Sequence, residues 1–357
     1  MSAERAIFNR YPPLQQSLPF LQLADLPTPV HRCSSLEGAI GIEQLWIKRD
    51  DISATKYGGN KLRKLEFLLA AAKQNNCRQV ITFGGLGSNH ALATAINCQH
   101  LGLKCVAILT PEPGTAQVRR TLRYHQLLGT RLEIAHTYAE TRSIANQLHD
   151  ELGAKHCYEI PFGGSSWLGA IGFVNAGLEL AQQISAGSLS KPDHIYLGCG
   201  TTGSVAGLAL GLMLAGIESS VEAIQVTPDS MQPEQLFKTI FKEASQELHA
   251  RDSTIPLLDS SESGVTIRKD QLGAGYAIPT EAAHEAAHLF HDKAELPASL
   301  TYTAKVFAGL MADAGRGMLA NKNILFWNTY NSRKYPKLPT DDRWKQLPKD
   351  LHSLFIA

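Results

Sequence analysis

The chain has 357 residues, long for one hydrophobic core, so two domains are expected. Its 34 basic and 33 acidic residues are interspersed and sum to +1, which leaves neither a basic stripe for nucleic acid nor an acidic disordered tail. Without an apolar run near the roughly 20 residues that cross a bilayer, without an apolar stretch around Glu4 and Arg5 for a signal peptide, and with six cysteines in no C-x-x-C spacing, the expectation is a soluble, cytoplasmic protein with reduced thiols and no metal site.

Residues 1–30 carry Pro12, Pro13, Pro19, Pro27 and Pro29 and read as irregular. Gln44–Lys48 reads as a strand leading into Arg49-Asp50-Asp51. The stretch Lys56-Tyr57-Gly58-Gly59-Asn60-Lys61-Leu62-Arg63-Lys64 follows. Its two glycines allow a tight turn, Asn60 can cap a helix, and Leu62, Leu65, Leu68, Leu69 and Ala72 recur at helical spacing from about Lys61. Three cations in a first turn have the wrong sign for the helix dipole. An anion or an electrophile nearby would resolve this; for Arg63 and Lys64 taken singly, the default is that they point into water.

Gln79–Phe83 reads as a strand, Gly84-Gly85-Leu86-Gly87-Ser88-Asn89-His90 as a loop and Asn89–His100 as a helix. Strand Lys104–Leu109, helix Thr115–Leu128, strand Leu132–Ile134, a helix near Ser143–Leu152 and strand Tyr158–Ile160 come next. Beyond Gly163-Gly164-Ser165 lies a helix from Gly169 to Ile184, in which Gly169, Gly172, Ala176 and Gly177 permit close packing. Strand His194–Leu197, the loop Gly198–Gly203, helix Ser204–Leu214, strand Val221–Val226, helix Gln232–His249, a loop over Ser253–Ser263, helices Thr280–Lys293 and Thr301–Ala314 and a buried strand Ile324–Thr329 complete the chain. Repeated strand–helix alternation predicts α/β architecture with mostly parallel sheets covered on both faces. If the late strands pair with the one near residue 45, the middle block is an insertion. The expected division is 1–60 with 175–357 as a large discontinuous domain, and 61–174 as a small inserted one.

Three glycine loops could hold ligands. Gly198-Cys199-Gly200-Thr201-Thr202-Gly203 matches G-x-G-x-x-G between strand and helix, which would suit a dinucleotide. The acid expected after the next strand is poorly placed, because Thr227-Pro228 precedes Asp229. Thr201, Thr202 and Ser204 add hydroxyls that suit a terminal phosphate better; a tight turn without ligand is the plain alternative. At Gly84–His90, Ser88 or Asn89 would cap the helix, and N–H groups there could hold a carboxylate. The third loop, Gly273–Tyr276, brings Tyr276, and Tyr302 precedes Thr303 at a helix start. A lysine on a glycine turn, a phosphate cradle, a carboxylate cradle and hydroxyls together suit pyridoxal 5′-phosphate.

With Lys48-Arg49-Asp50-Asp51, Gly58–Lys64, Gly84-Gly85 before Ser88-Asn89-His90, Gly163-Gly164-Ser165 and Gly275-Tyr276 in this order, the chain from Pro27 to Thr329 resembles the 1-aminocyclopropane-1-carboxylate deaminase / D-cysteine desulfhydrase group. These are fold-type II pyridoxal-phosphate enzymes related to tryptophan synthase β-subunits. The resemblance implies two three-layer α/β domains, the cofactor in the cleft between them, and commonly a homodimer. It implies Lys61 as the Schiff-base lysine beside Asn60, with Asn89 meeting the cofactor's phenolic oxygen. Ser88, Asn89 and His90 would bind the carboxylate of a small amino-acid substrate, and Ser88, Tyr276 and Tyr302 would serve catalysis. Gly200, Thr201, Thr202, Gly203 and Ser204 align with the phosphate loop, which is richer in glycine in the family. Thr303 falls where the pyridine nitrogen is met, where deaminases carry Glu and desulfhydrases Thr. A Thr makes a weaker electron sink, which favours β-elimination from D-cysteine over opening of a cyclopropane. The segment Leu296–Thr301 and Thr329-Tyr330-Asn331, in place of Thr-Gly-Gly, depart from the family near the pocket. The rival readings are 1-aminocyclopropane-1-carboxylate deamination, an NAD-dependent dehydrogenase using the loop at Gly198, and a cofactor-binding protein without turnover.

Overall fold

A computed structural model describes residues 5–339 and 341–356. By internal contacts they form two units. One comprises the chain up to Leu18, Gln22–Phe67 and Ser165–Lys334; the other comprises Pro19–Leu21, Leu68–Gly164 and the chain from Tyr335. The strands among the described residues are β1 (Val30–Arg32), β2 (Gln44–Lys48), β3 (Gln79–Gly85), β4 (Lys104–Thr110), β5 (Arg131–Ile134), β6 (Cys157–Ile160), β7 (His194–Cys199), β8 (Ser220–Gln225), β9 (Val265–Arg268) and β10 (Asn323–Trp327).

The first unit is built on a sheet in the order β1-β2-β10-β7-β8-β9. Only β1 is antiparallel to its neighbour. The expected pairing of early and late strands is present, with Trp46 of β2 beside Leu325 of β10. Parallel neighbours cannot be joined by a tight turn, so the chain must leave after β2 and return. Leu45 and Ile47 of β2 join Tyr196, Phe290, Phe307 and Phe326 in one core. The three phenylalanine rings lie 5.2, 5.3 and 5.4 Å apart, tilted or edge-on as their quadrupoles favour. The predicted small-residue helix is Trp167–Ser185, and it packs on the helix Gly203–Ala215. A side chain at Gly207 would meet the Ala170 carbonyl oxygen at 2.2 Å, so the two backbones approach as only glycine permits.

The second unit has a wholly parallel sheet in the order β5-β4-β3-β6. Its tail runs counter to expectation. Residues from Tyr335 were expected in the large domain, yet Leu347 and Leu351 complete the core around Leu86, Val118 and Leu122. Tyr335 stacks on Tyr124 at 5.0 Å, under the Arg120 guanidinium at 4.3 Å. The other borders also shift. One falls inside the helix Lys61–Gln74, between Phe67 and Leu68, because Arg63, Lys64 and Glu66 find their partners in the first unit.

Three segments expected to be irregular or unassigned are ordered. Ala6–Arg10 and Leu14–Ser17 are short helices, and the buried Arg5 before them pairs with Glu66. Val265–Arg268 adds an edge strand after the polar excursion. The helix expected near Ser143 begins at Tyr138, because Thr137 and Glu140 form a capping box. All six cysteines are free and buried. Among the described residues no helix is long and apolar enough to cross a membrane.

Candidate functional site

Lys61 opens the helix Lys61–Gln74 behind a turn that leaves no room for side chains. A Cβ on Gly58 would stand 1.9 Å from the Asp51 carbonyl oxygen, and Gly59 has φ +103°. The Gly59 N–H donates to the Asp50 carbonyl at 2.7 Å and the Asn60 N–H to the Thr329 carbonyl at 3.2 Å. The amine of Lys61 is thereby aimed from a pinned backbone. Burial lowers its pKa from 10.5 to about 8.

Arg63 and Lys64 do not point into water, as their residue types suggested. Both are buried. Arg63 donates to Asp50 at 2.9 and 2.7 Å and to Glu179 at 2.9 Å. Lys48 reaches the same Glu179 at 2.6 Å, so two cations face two carboxylates in the interior. Burial pulls Glu179 upward, but Arg63 and Lys48 hold it down at about 2. Breaking such a paired cluster costs far more than it contributes as a unit, so it fixes the start of the Lys61 helix. Lys64, one turn on from Lys61, pairs outside that cluster. Its Nζ donates to Ser165 Oγ at 3.2 Å. Burial, and then the like charge of Lys61, push its pKa well below the usual lysine value.

The loop after β7 meets these residues. Ser165 Oγ lies 2.7 Å from Thr201 Oγ1 and accepts the Gly203 N–H at 3.3 Å. A Cβ on Gly203 would stand 2.7 Å from Ser165 Oγ and 2.9 Å from Lys64 Nζ, so this helix start admits only glycine and has the Lys64 amine against it. Thr202 adopts left-handed backbone at φ +58°, and its buried Oγ1 has no hydrogen-bond partner among the described residues. Helix N–H groups, an amine and an unsatisfied hydroxyl together suit a phosphate. Asn60 Nδ2 lies 3.3 Å from Ser204 Oγ, which ties the lysine turn to the phosphate-type loop.

The tyrosines belong to the same neighbourhood. A side chain on Gly200 would meet the Tyr302 ring at 3.5 Å. The hydroxyls of Tyr302 and Tyr276 are 2.7 Å apart, with the rings edge-on. Thr303 is the first residue of the helix Thr303–Gly315, and its Oγ1 accepts the Ser299 N–H at 2.6 Å. Having accepted that bond, the hydroxyl is best placed to donate its own hydrogen.

Ser88, Asn89 and His90 lie in the second unit, at the end of the Gly84–Gly87 loop. Ser88 is the cap, accepting the Ala91 N–H at 3.2 Å, and Asn89 begins the helix. A carboxylate docked here would meet the N–H groups of the first turn ahead of Ala91. Sequence reasoning missed Glu112. Its Oε2 accepts the Gly87 N–H at 3.1 Å, and a Cβ on Gly85 would stand 1.7 Å from its Oε1. Burial raises its pKa from 4.5 to about 7. A carboxyl raised on folding is protonated in the native state over that interval, so stability falls as pH climbs from 4.5 to 7. Glu112→Gln keeps the acceptor and removes the charge. It is expected to stabilise the protein by on the order of 1–2 kcal/mol at pH 8, with the gain fading towards pH 4.5. Urea unfolding at the two pH values measures this; a gain independent of pH would contradict it.

The structure thus joins Asn60, Gly200, Gly203, Ser204, Tyr276 and Tyr302 through direct neighbours, with Lys61 and Thr303 adjacent in sequence. Lys64, Ser165 and Glu112 were not foreseen as site residues. Lys64 stands three residues from Lys61, on the same helical face, and this spacing could have revealed it.

Residues 21–329 match the family described as pyridoxal-phosphate dependent enzyme. Over 299 residues, 82% of this chain and 88% of the relative, the sequence is 34% identical to a D-cysteine desulfhydrase of Salmonella paratyphi B, and the same figures hold for that of Salmonella newport. Among solved structures, an ACC deaminase homologue superposes with a TM-score of 0.77 at 26% identity, covering 98% of this chain and 99% of that one. A threonine deaminase isoform of Solanum lycopersicum shares the fold, with a TM-score of 0.58 at 16% identity over 86% of this chain and 84% of that one.

Proposed function

The chain belongs to the pyridoxal-phosphate dependent enzyme family, and from that premise we propose that it is a β-eliminating lyase converting D-cysteine to pyruvate, sulfide and ammonia. Family membership sets the NAD-dependent dehydrogenase reading aside and gives pyridoxal 5′-phosphate as the cofactor. The residues present fit that group. Lys64, the glycine helix start at Gly203 and the Thr202 hydroxyl would suit its phosphate, and Lys61 would suit its aldehyde. The observation that carries the reading is the 3.3 Å contact of Asn60 with Ser204, which sets the lysine turn beside the phosphate-type loop.

When bound, the cofactor supplies an electron sink for the α-carbon of an amino acid. The chain's own residues supply the rest. Lys61 Nζ would hold the cofactor through its aldehyde and, as a free amine, would take the α-proton. A pKa near 8 keeps a useful fraction of that amine neutral. The Tyr276–Tyr302 hydroxyl pair, 2.7 Å apart, holds or passes a proton close by. By the resemblance, Ser88, Asn89 and His90 would orient the substrate carboxylate, and Asn89 would serve the phenolic oxygen. Thr303 would offer a ring nitrogen a hydroxyl hydrogen and no carboxylate, which supports elimination of a good leaving group over cyclopropane opening. The free, buried cysteines support a cytoplasmic location, and the resemblance implies a homodimer.

The test is an assay of the purified, cofactor-loaded protein with D-cysteine, L-cysteine and 1-aminocyclopropane-1-carboxylate. Pyruvate and sulfide from D-cysteine, at a kcat/KM at least about tenfold above that for the other two, are expected. Production of 2-oxobutanoate from the cyclopropane at the higher kcat/KM would favour the deaminase instead, a reading supported by the structural likeness to the ACC deaminase homologue.

A further inference from the structure

We infer that Asn331, with Arg333, is the positioning residue that clamps the lysine turn. This deepens the proposed function and rests on Lys61 being the working amine. The chain leaving β10 runs alongside Gly58–Lys61. The Thr329 carbonyl takes the Asn60 N–H at 3.2 Å, and a Cβ on Gly59 would stand 3.1 Å from that carbonyl oxygen. Two residues on, the Asn331 side chain supplies the partner of the Gly58 N–H. Its Oδ1 accepts the Gly58 N–H at 2.7 Å and the Arg333 N–H at 3.1 Å, while its Nδ2 donates to the Arg333 carbonyl at 3.0 Å.

Asn331 is buried and uses three of its four hydrogen-bonding positions. The Arg333 side chain then anchors the far end, donating to the Ala54 carbonyl at 2.9 Å and the Ile52 carbonyl at 3.2 Å. The Ser332 N–H adds a bond to the Asp51 carbonyl at 3.0 Å. Thus one amide and one guanidinium add side-chain ties between the segment before the turn, the turn itself and the exit of β10, beside the backbone bonds. Glycine at position 331 would supply no side-chain acceptor for Gly58. The clamp fixes where Asn60 meets Ser204 and where the next residue, Lys61, sends its amine.

A displacement on the order of 1 Å at a reacting group costs roughly a hundredfold in rate, so a loosened turn shows in the chemistry of Lys61 before it shows in the fold. In the cofactor-free protein, labelling of Lys61 by an amine-selective reagent, followed by mass spectrometry across pH, reports the amine directly. Hydrogen exchange over the peptide containing Gly58 reports the clamp. Asn331→Ala is expected to speed that exchange at least about tenfold and to alter the labelling rate of Lys61 severalfold. In the loaded protein it is expected to lower kcat per bound cofactor about tenfold or more while KM changes less than about threefold. Asn331→Asp keeps the acceptor for Gly58 and is expected to return exchange to within about threefold of the wild type. Should Asn331→Ala fail to fold, Asn331→Ser, too short to reach Gly58, takes its place in the same measurements. Exchange and labelling unchanged in the folded Ala or Ser variant would overturn the clamp, whatever happens to melting temperature. Loss of the proposed function is a separate result: Lys61 dispensable for cofactor capture, with the clamp's exchange signature intact.

Discussion

Lys61→Ala is expected to lower pyruvate formation from D-cysteine by on the order of four decades or more, the scale on which removal of a covalent and proton-transferring group acts. Lys61 is asked to hold the cofactor and then move the α-proton, and no other amine on that turn can take over. The Lys64 ammonium is one helical turn away and bonded to Ser165. Lys56 lies on the far side of two glycines whose places are fixed by Asp50, Asp51 and Thr329. Lys61→Arg should fail almost as fully, because a guanidinium stays protonated and cannot act as base. Both variants should fold, since Lys61 forms no part of the Arg63 ion cluster. Circular dichroism checks the fold and a coupled pyruvate assay the rate. Borohydride reduction of the loaded wild type should fix cofactor mass to the peptide holding Lys61. Activity within tenfold of wild type in a folded Lys61→Ala protein would end the assignment.

How much of this was readable in the residues depends on how local each cause is. Gln44–Lys48 and Asn89–His100 form where the sequence predicted, because period, cap and terminator all lie within the element. The lysine turn and the phosphate-type loop were legible for the same reason, each being a run of glycines beside a characteristic polar residue. The buried fate of Arg63 was not. Its counter-ions, Asp50 and Glu179, come from thirteen residues earlier and from another helix, and nothing local marks an arginine as paired. The capping box at Thr137 and Glu140 was in plain view, yet the helix start was set too late because Tyr138 and Ala139 break the apolar period. The edge strand Val265–Arg268 was hidden by the polar excursion before it. The tail was assigned by chain order, whereas Leu347 and Leu351 follow the nearest unfinished core. Asn331 was visible as a departure from glycine, and its use became clear only with Gly58 beside it.

Lys64→Met is expected to act in opposite directions on the cofactor-free and cofactor-bound protein. Lys64 is almost wholly removed from water, and both burial and the charge of Lys61 oppose its ionisation. A lysine whose pKa falls on folding costs native stability wherever the unfolded chain still carries the proton, that is, below its ordinary value of 10.5. A linear apolar side chain of similar length carries no such cost. The cofactor-free variant should therefore be as stable as the wild type or more so at neutral pH, with the difference narrowing above pH 10. With the phosphate present the sign reverses, because the ammonium beside Gly203 supplies the charge that helix N–H groups and the Thr202 hydroxyl only partly provide. Losing one charge-assisted contact to phosphate should weaken cofactor affinity about a hundredfold, near 3 kcal/mol. Equilibrium dialysis with pyridoxal 5′-phosphate, set beside urea unfolding of the cofactor-free protein, separates the two effects. Retained affinity would move the phosphate away from Gly203. Affinity and cofactor-free stability falling together would mean that Lys64 serves the fold alone.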